Sequence, residues 1–309
     1  MLRRIGRAGR RFEITWRYSF NLAPTLAYRY AKRPLPAESA RVLADLDRNG
    51  VAITSVQQLM GSDSCYQELM EAVAKAEQDQ AAVIAAARAD VRASGPAGVK
   101  SFIYSLLGEY PTLQPQGIYA RFALHSAILN IANGYLGMYS RLRYYNVWHT
   151  FPSGMQPRQS QLWHRDREDR YICKVFAYLS DVDDGAGPFT YAAGTHAKGR
   201  VRSQPRHFKE ADGVQRSDDA QMAEVLSPEQ WIRCTGAKGT IIFADTRGYH
   251  KGGEARERDR IMYTCMFTSP ASESREFFRR PAQTPRQPNL ELAFALAPPK
   301  AGPWVSFKF

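Results

Sequence analysis

The hydrophobic period of this chain changes once, near residue 141, and that change limits its fold more than any other feature. Upstream the period is mostly helical. Residues 38–48 place Val42, Leu43 and Leu46 on one side of a helix, and Asn49-Gly50 supplies its stop. Residues 65–93 are alanine-rich, with Leu69, Val73, Ala76, Ala81 and Ile84, and predict one long helix or a broken pair ended by Gly95-Pro96. Further helices are predicted over 99–109 and 119–140, the latter with a kink or end at Asn133-Gly134. Residues 51–54 read as one short strand within this half. Downstream the period shortens. Residues 142–149, 171–179, 188–192, 239–244 and 260–268 read as strands separated by glycine- or proline-bearing turns. No linker and no fixed-period repeat divides the halves. Helices followed by strands in one continuous run predict a single domain over residues 38–303, its helices buttressing a sheet sandwich or open barrel. Residues 197–238 interrupt the strands with basic and polar sequence and are expected to form an insertion or lid. Residues 270–303 are proline-rich and expected to be irregular, with 304–309 as a short tail.

A chain of 309 residues can build a core without disulfides. Its four cysteines, Cys65, Cys173, Cys234 and Cys265, form no close pair; they are expected to be reduced, with the cytoplasm as the default compartment. The formal charge of +12 points to an acidic partner without choosing among lipid, nucleic acid and small substrate. No run is long and apolar enough to span a bilayer, and the basic N-terminus is not followed by a clean signal-peptide segment. Residues 1–37 form a separate segment. Its arginines and lysines up to Arg33 face one acid, Glu13, and are interleaved with large residues such as Phe12, Trp16, Tyr18 and Tyr30. That mixture suits a peripheral contact with an anionic membrane; the alternative is a flexible arm that docks on its own domain.

Chemistry concentrates at Trp163-His164-Arg165-Asp166. Two ligands two positions apart point to one side of an extended segment. His250, in the glycine-rich stretch 248–253, is the candidate third ligand, because the backbone there can turn an imidazole back towards the first pair. Two histidines and a carboxylate suit iron(II) and leave coordination positions open. Arg260 opens the apolar strand 261–267 and is suited to a bidentate grip on a carboxylate. Arg256 and Arg258 offer the alternative that Arg260 is one of several surface charges. His196 competes with His250 as third ligand. His125, His149 and His207 are assigned structural or surface roles. The carboxylates of residues 181–187 lack the spacing of a calcium loop and are read as a tight turn.

The segment WHRDREDRYICKVFAYLSDVDDGAGPFTYAAGTHAKG, with GYHKGG and RIMYTCMF further on, resembles the phytanoyl-CoA dioxygenase family of iron(II)- and 2-oxoglutarate-dependent oxygenases. The resemblance spans about residues 38–268. It implies a mainly β fold with flanking helices around a double-stranded β-helix, the jelly-roll or cupin-like core. It implies Fe(II) held by His164, Asp166 and His250, and 2-oxoglutarate held at its far carboxylate by Arg260. Further co-substrate or substrate contacts are expected from Arg143, Tyr145 and Asn146, and Thr195 matches a family turn. The implied reaction consumes O2 and 2-oxoglutarate, releases succinate and CO2, and hydroxylates a C–H bond. Asp166 stands where a halogenating relative would lack a carboxylate, which disfavours halogenation.

The expected substrate is a small or lipid-linked anion, received by Arg165, Arg167 and Arg170 if these do more than pair with Glu168 and Asp169. A resemblance to hydroxylases of the Kdo sugar of lipopolysaccharide would place the chain on the cytoplasmic face of the inner membrane. An acyl-CoA or a natural-product intermediate is the alternative within the family. A nucleic-acid or anionic-membrane binding module is the alternative outside it, but no nucleic-acid motif supports the former and neither accounts for the metal constellation.

Overall fold

The longest strand, Arg141–Thr150 (β3), is buried along almost its whole length, so both of its faces must be covered. The computed structural model describes residues 12–92, 100–209, 215–281 and 287–298. The expectations for residues 1–11, for the Gly95-Pro96 stop and for the 304–309 tail lie outside the described residues.

One sheet has six antiparallel strands in the order β1-β7-β4-β9-β3-β2. Its members are Val51–Ser55 (β1), Ile103–Ser105 (β2), β3, Cys173–Tyr178 (β4), Thr240–Ala244 (β7) and Arg260–Thr268 (β9). The second sheet runs β6-β5-β8, from Trp231–Cys234 (β6), Phe189–Ala192 (β5) and His250–Gly252 (β8). A single antiparallel bridge, His164 opposite His250, adds a fourth short strand beside β8. From β3 onward the chain passes back and forth between the sheets, except from β5 to β6, which pair within the smaller one, and the eight strands close into a jelly roll, the double-stranded β-helix.

The period-2 alternation of the large sheet separates two cores. Tyr145, Val147, Val175, Phe243, Tyr263 and Cys265 face outward and pack under the helices. Phe176, Tyr178, Ile242 and Met262 face inward against Phe189 and Tyr191 of the small sheet. The helices Ala37–Asn49, Ser64–Asp79 and Ser126–Leu136 bury their apolar stripes on the outer side. Gly50 ends the first of these in a left-handed conformation, φ +80°, which glycine adopts without penalty, and a side chain there would run into Tyr191 and His196.

Several boundaries differ from expectation. The alanine-rich stretch is the broken pair, split at Gln80 into Ser64–Asp79 and Ala81–Ala89. Residues 99–109 hold β2 rather than a helix, because pairing with the free edge of β3 outweighs local propensity. The break in 119–140 falls at Leu124-His125, not at Asn133-Gly134: the His125 ring accepts from the Ala127 amide and restarts the helix. The expected lid contains a barrel strand, β6, and Ser217 exchanges both backbone hydrogen bonds with Trp163. Three of the four cysteines are buried and all four are free thiols. Residues 181–187 form a tight turn in which the Asp183 carboxylate accepts from the Ala186 amide. No helix among the described residues is long and apolar enough to cross a membrane.

Candidate metal centre

The backbone brings the ligands together before any side chain is considered. His164 and His250 exchange N–H···O=C bonds of 3.0 and 3.1 Å, so they sit opposite one another with side chains on one face. Their ring centroids are 4.3 Å apart. The Asp166 amide donates to the Thr246 carbonyl at 2.8 Å, and Arg247 Nη1 donates to the Asp166 carbonyl at 3.1 Å. The turn after β7 thus holds Asp166 beside the histidine pair. One ligand atom from each of His164, Asp166 and His250 lies within 4.8 Å of the others.

The protonation of both rings is decided by their neighbours. His164 Nδ1 lies 2.8 Å from the Leu162 carbonyl, and His250 Nδ1 lies 3.0 Å from the Gly248 carbonyl. A carbonyl oxygen only accepts, so each Nδ1 carries the proton and each Nε2 presents its lone pair to the site. Burial, and then its neighbour His250, push His164 well below its ordinary value; burial chiefly pushes His250 down to about 4. Both imidazoles are therefore neutral near pH 7, the form that binds a metal.

Asp166 is held ionised from the other side. Burial opposes its charge, but Lys174 above all, then His250 and His164, outweigh burial and keep the carboxyl well below the usual carboxylate range. Lys174 Nζ donates to Asp166 Oδ2 at 3.0 Å. It lies 5.9 Å from each of the Tyr144, Trp148 and Phe176 rings, an aromatic enclosure for a buried ammonium. Burial would lower this ammonium, and Asp166 more than offsets that. Lys100 and Arg216 are also close enough to feel the Asp166 carboxylate. The sequence reading missed all three. For Lys174 a signal existed: it shares a strand face with Phe176 and Tyr178, so it points into the barrel.

Arg260 is buried and short of hydrogen-bond acceptors. It is 2 % exposed. Nη2 reaches Thr150 Oγ1 at a long 3.5 Å, while Nε and Nη1 are shut off from solvent without a partner. Burial lowers this guanidinium, partly offset by Tyr178. A buried cation short of acceptors is costly unless a ligand supplies them. Its place relative to the triad is set by β8: a methyl group at Gly252 would sit 3.8 Å from Arg260 Nη2, and Gly252 is two strand residues from His250, about 7 Å. An acceptor pair at Arg260 and a metal at the triad are thus separated by the length of a short dicarboxylate.

The other expected contacts lie elsewhere. Arg143 is seven residues along β3 from Thr150, which is paired with Arg260, or roughly 20 Å away. One co-substrate cannot span both arginines. Arg143 sits at the β3 bulge and donates to the Arg275 carbonyl. Tyr145 points to the outer face, where its ring packs at a tilt against Phe278 and its hydroxyl donates to the Thr112 carbonyl at 3.1 Å. Asn146 spends its amide on the neighbouring loop: Nδ2 donates to the Gly108 carbonyl, and Oδ1 accepts from the Leu107 amide. Thr195 Oγ1 donates to the Ala192 carbonyl and accepts from the Tyr249 amide, both at 2.8 Å, so it fixes a turn. His196 contacts the Asp47 carbonyl at 3.1 Å and is not among the clustered ligands. Arg165 lies over the Tyr249 ring at 3.9 Å, Arg167 donates to Gln215, and Arg170 pairs with Glu13. These three arginines have partners of their own.

No protein-family model matches the chain, and no curated protein matches it. Solved structures are similar to it. The crystal structure of EctD from S. alaskensis with bound Fe is 16 % identical, covers 82 % of this chain and 83 % of its own, and superposes with a TM-score of 0.51. SnoN, described as a non-heme alpha ketoglutarate dependent epimerase from nogalamycin biosynthesis, is 16 % identical over 76 % of this chain and 85 % of its own, with a TM-score of 0.47. AviO1 from Streptomyces viridochromogenes Tue57 is 17 % identical over 77 % of this chain and 98 % of its own, with a TM-score of 0.45. The likeness to EctD is one of fold.

Proposed function

We propose that this chain is an iron(II)- and 2-oxoglutarate-dependent dioxygenase that hydroxylates an aliphatic C–H bond of a small or lipid-linked anionic substrate. One observation carries the reading: two imidazoles with Nε2 free and Nδ1 tied to carbonyls, one ionised carboxylate, and the buried guanidinium of Arg260, two of its nitrogens unpaired, beside Gly252, which lies about 7 Å along β8 from His250. His164, Asp166 and His250 fit Fe(II), a donor set that leaves positions open for a co-substrate and O2. The bound metal and 2-oxoglutarate would supply the oxidising power, with succinate and CO2 as co-products. The protein's own part is placement. Arg260 and Thr150 would hold the far carboxylate of 2-oxoglutarate. Phe176, Tyr178 and Phe189 wall the interior between that anchor and the metal and keep water out. Lys174 keeps Asp166 ionised and in position.

The substrate reading rests on charge. Lys174 pairs with Asp166, and Lys100 and Arg216 add positive charge within electrostatic reach of it, which suits an anionic substrate. A Kdo sugar of a lipopolysaccharide precursor is one candidate; an acyl-CoA or a natural-product acid is the alternative. The test is succinate formation by protein loaded anaerobically with Fe(II), then given 2-oxoglutarate, O2 and these substrates in turn. Turnover with one of them is expected. Arg260→Gln should raise the KM for 2-oxoglutarate about a hundredfold, the scale of roughly 3 kcal/mol for a lost charge-paired contact. A protein that binds neither iron nor 2-oxoglutarate would sink the proposal.

A further inference from the structure

The N-terminal segment divides its large residues between two faces. Trp16 is buried: its indole N–H donates to Asp169 at 2.8 Å, and its ring meets Tyr171 edge-on at 5.3 Å. Arg17 donates to the carbonyls of Leu136 and Gly137, and Asn21 Oδ1 accepts from the Ala271 amide. In the helix Leu22–Ala31, Pro24, Thr25 and Tyr28 face the protein. The residues left outside are Phe12, Ile14, Tyr18, Leu22, Leu26 and Tyr30. Five of them recur every fourth position, and Tyr30 is 97 % exposed. Residues scattered by chance would not hold the spacing that keeps side chains on one side of a helical segment. The chain bends at Asn21, yet Arg29 lies over the Tyr18 ring at 5.3 Å, so the faces of the two arms adjoin.

The charge around this apolar face is positive. Arg29, Lys32 and Arg33 are exposed on the same segment. Its one acid, Glu13, is taken up by Arg17, Arg170 and Tyr171. Residues 1–11, read as sequence only, add five arginines and no acid. An apolar stripe edged with cations matches a surface that offers acyl chains and negative headgroups together. A second copy of this chain would meet the same cations and be repelled, and a nucleic acid would leave the stripe in water.

We propose that residues 12–33 dock the protein onto an anionic lipid bilayer, with Leu22, Leu26 and Tyr30 entering the interface. The arm is pinned through Trp16 to Asp169, three residues beyond Asp166, so docking fixes the metal-bearing loop relative to the lipid surface. This goes beyond the proposed reaction and does not depend on it.

The test is flotation of the full chain with vesicles of phosphatidylglycerol and phosphatidylcholine, and with vesicles of phosphatidylcholine alone. Binding to the first, weakened by salt, is expected. Leu26→Glu with Tyr30→Glu should reduce it by at least about tenfold with the melting temperature unchanged, since both side chains are exposed. Lys32→Glu with Arg33→Glu should weaken only the anionic component. Equal binding by wild type and the stripe variant overturns the proposal, as does failure of the wild type to float. Concentration-dependent dimerisation that the stripe variant abolishes, without vesicle binding, overturns it in favour of self-association. None of these readings requires turnover, so they are independent of whether the oxygenase reading holds.

Discussion

Lys174 is a cation held against the carboxylate of Asp166, a candidate metal ligand, and this makes it the most informative single residue of the site. Its ammonium donates to Asp166 Oδ2 at 3.0 Å. Lys174→Met keeps the apolar stem among Tyr144, Trp148 and Phe176 but leaves Asp166 buried without its strongest counter-charge. Breaking one side of such a pair costs about 3–5 kcal/mol. The metal-free variant should therefore melt well below the wild type, and Fe(II) or Mn(II) should raise its melting temperature more than that of the wild type. Equal metal-induced shifts in the two proteins would show that Lys174 is not coupled to the site. At this scale the ligand types were legible, because His164 and Asp166 share a face by their spacing and His250 follows an apolar strand. Lys174, Lys100 and Arg216 were not, because nothing local says which buried carboxylate a lysine or arginine will meet. Arg165, Arg167 and Arg170 illustrate the converse: proximity in sequence to a candidate ligand does not leave them free to face the triad.

Elements positioned by glycine show a different limit. The stretch 248–253 reads in sequence as a glycine-rich turn whose backbone can bend, yet Gly248 is needed for space. A methyl group there would land on the Tyr191 hydroxyl and close to Thr195 Oγ1. The Tyr191 hydroxyl donates to the Asp245 carbonyl at 2.7 Å and so fixes the turn from β7 into β8, which carries His250. Gly248→Ala should cost about 2–4 kcal/mol by overpacking and loss of this bond, and weaken metal binding. Denaturant unfolding and metal titration check it; an alanine variant as stable and as tight-binding as the wild type would refute the role. The long strands β3, β4, β7 and β9 were legible because each carries enough apolar alternation. β6 and β8 were not: four and three residues hold too little pattern, and their partners on β5 decide that they pair.

Across the whole molecule, the N-terminal arm and the loop after Asp166 are tied together. Trp16 joins them through Asp169, which also accepts from the Ser269 amide at 2.7 Å. Trp16→Ala should cost about 3–5 kcal/mol and expose the arm to proteolysis after Arg29, while the β core stays resistant. Limited digestion followed by mass spectrometry reads this directly, and an unchanged cleavage pattern would show that the arm is held by other contacts. The sequence alone determined the change from helices to strands, the ligand types and the Arg260 strand, since period and short spacings are local properties of the backbone. The tertiary structure decided what depends on partners distant along the chain. It chose the sheet face that excludes Tyr145, the 20 Å that separates Arg143 from Arg260, roughly by strand rise, and the carbonyls that set both histidine tautomers. It also divided the N-terminal aromatics between the core and the outside. Burial and pairing are settled by packing, and packing joins segments that no local pattern connects.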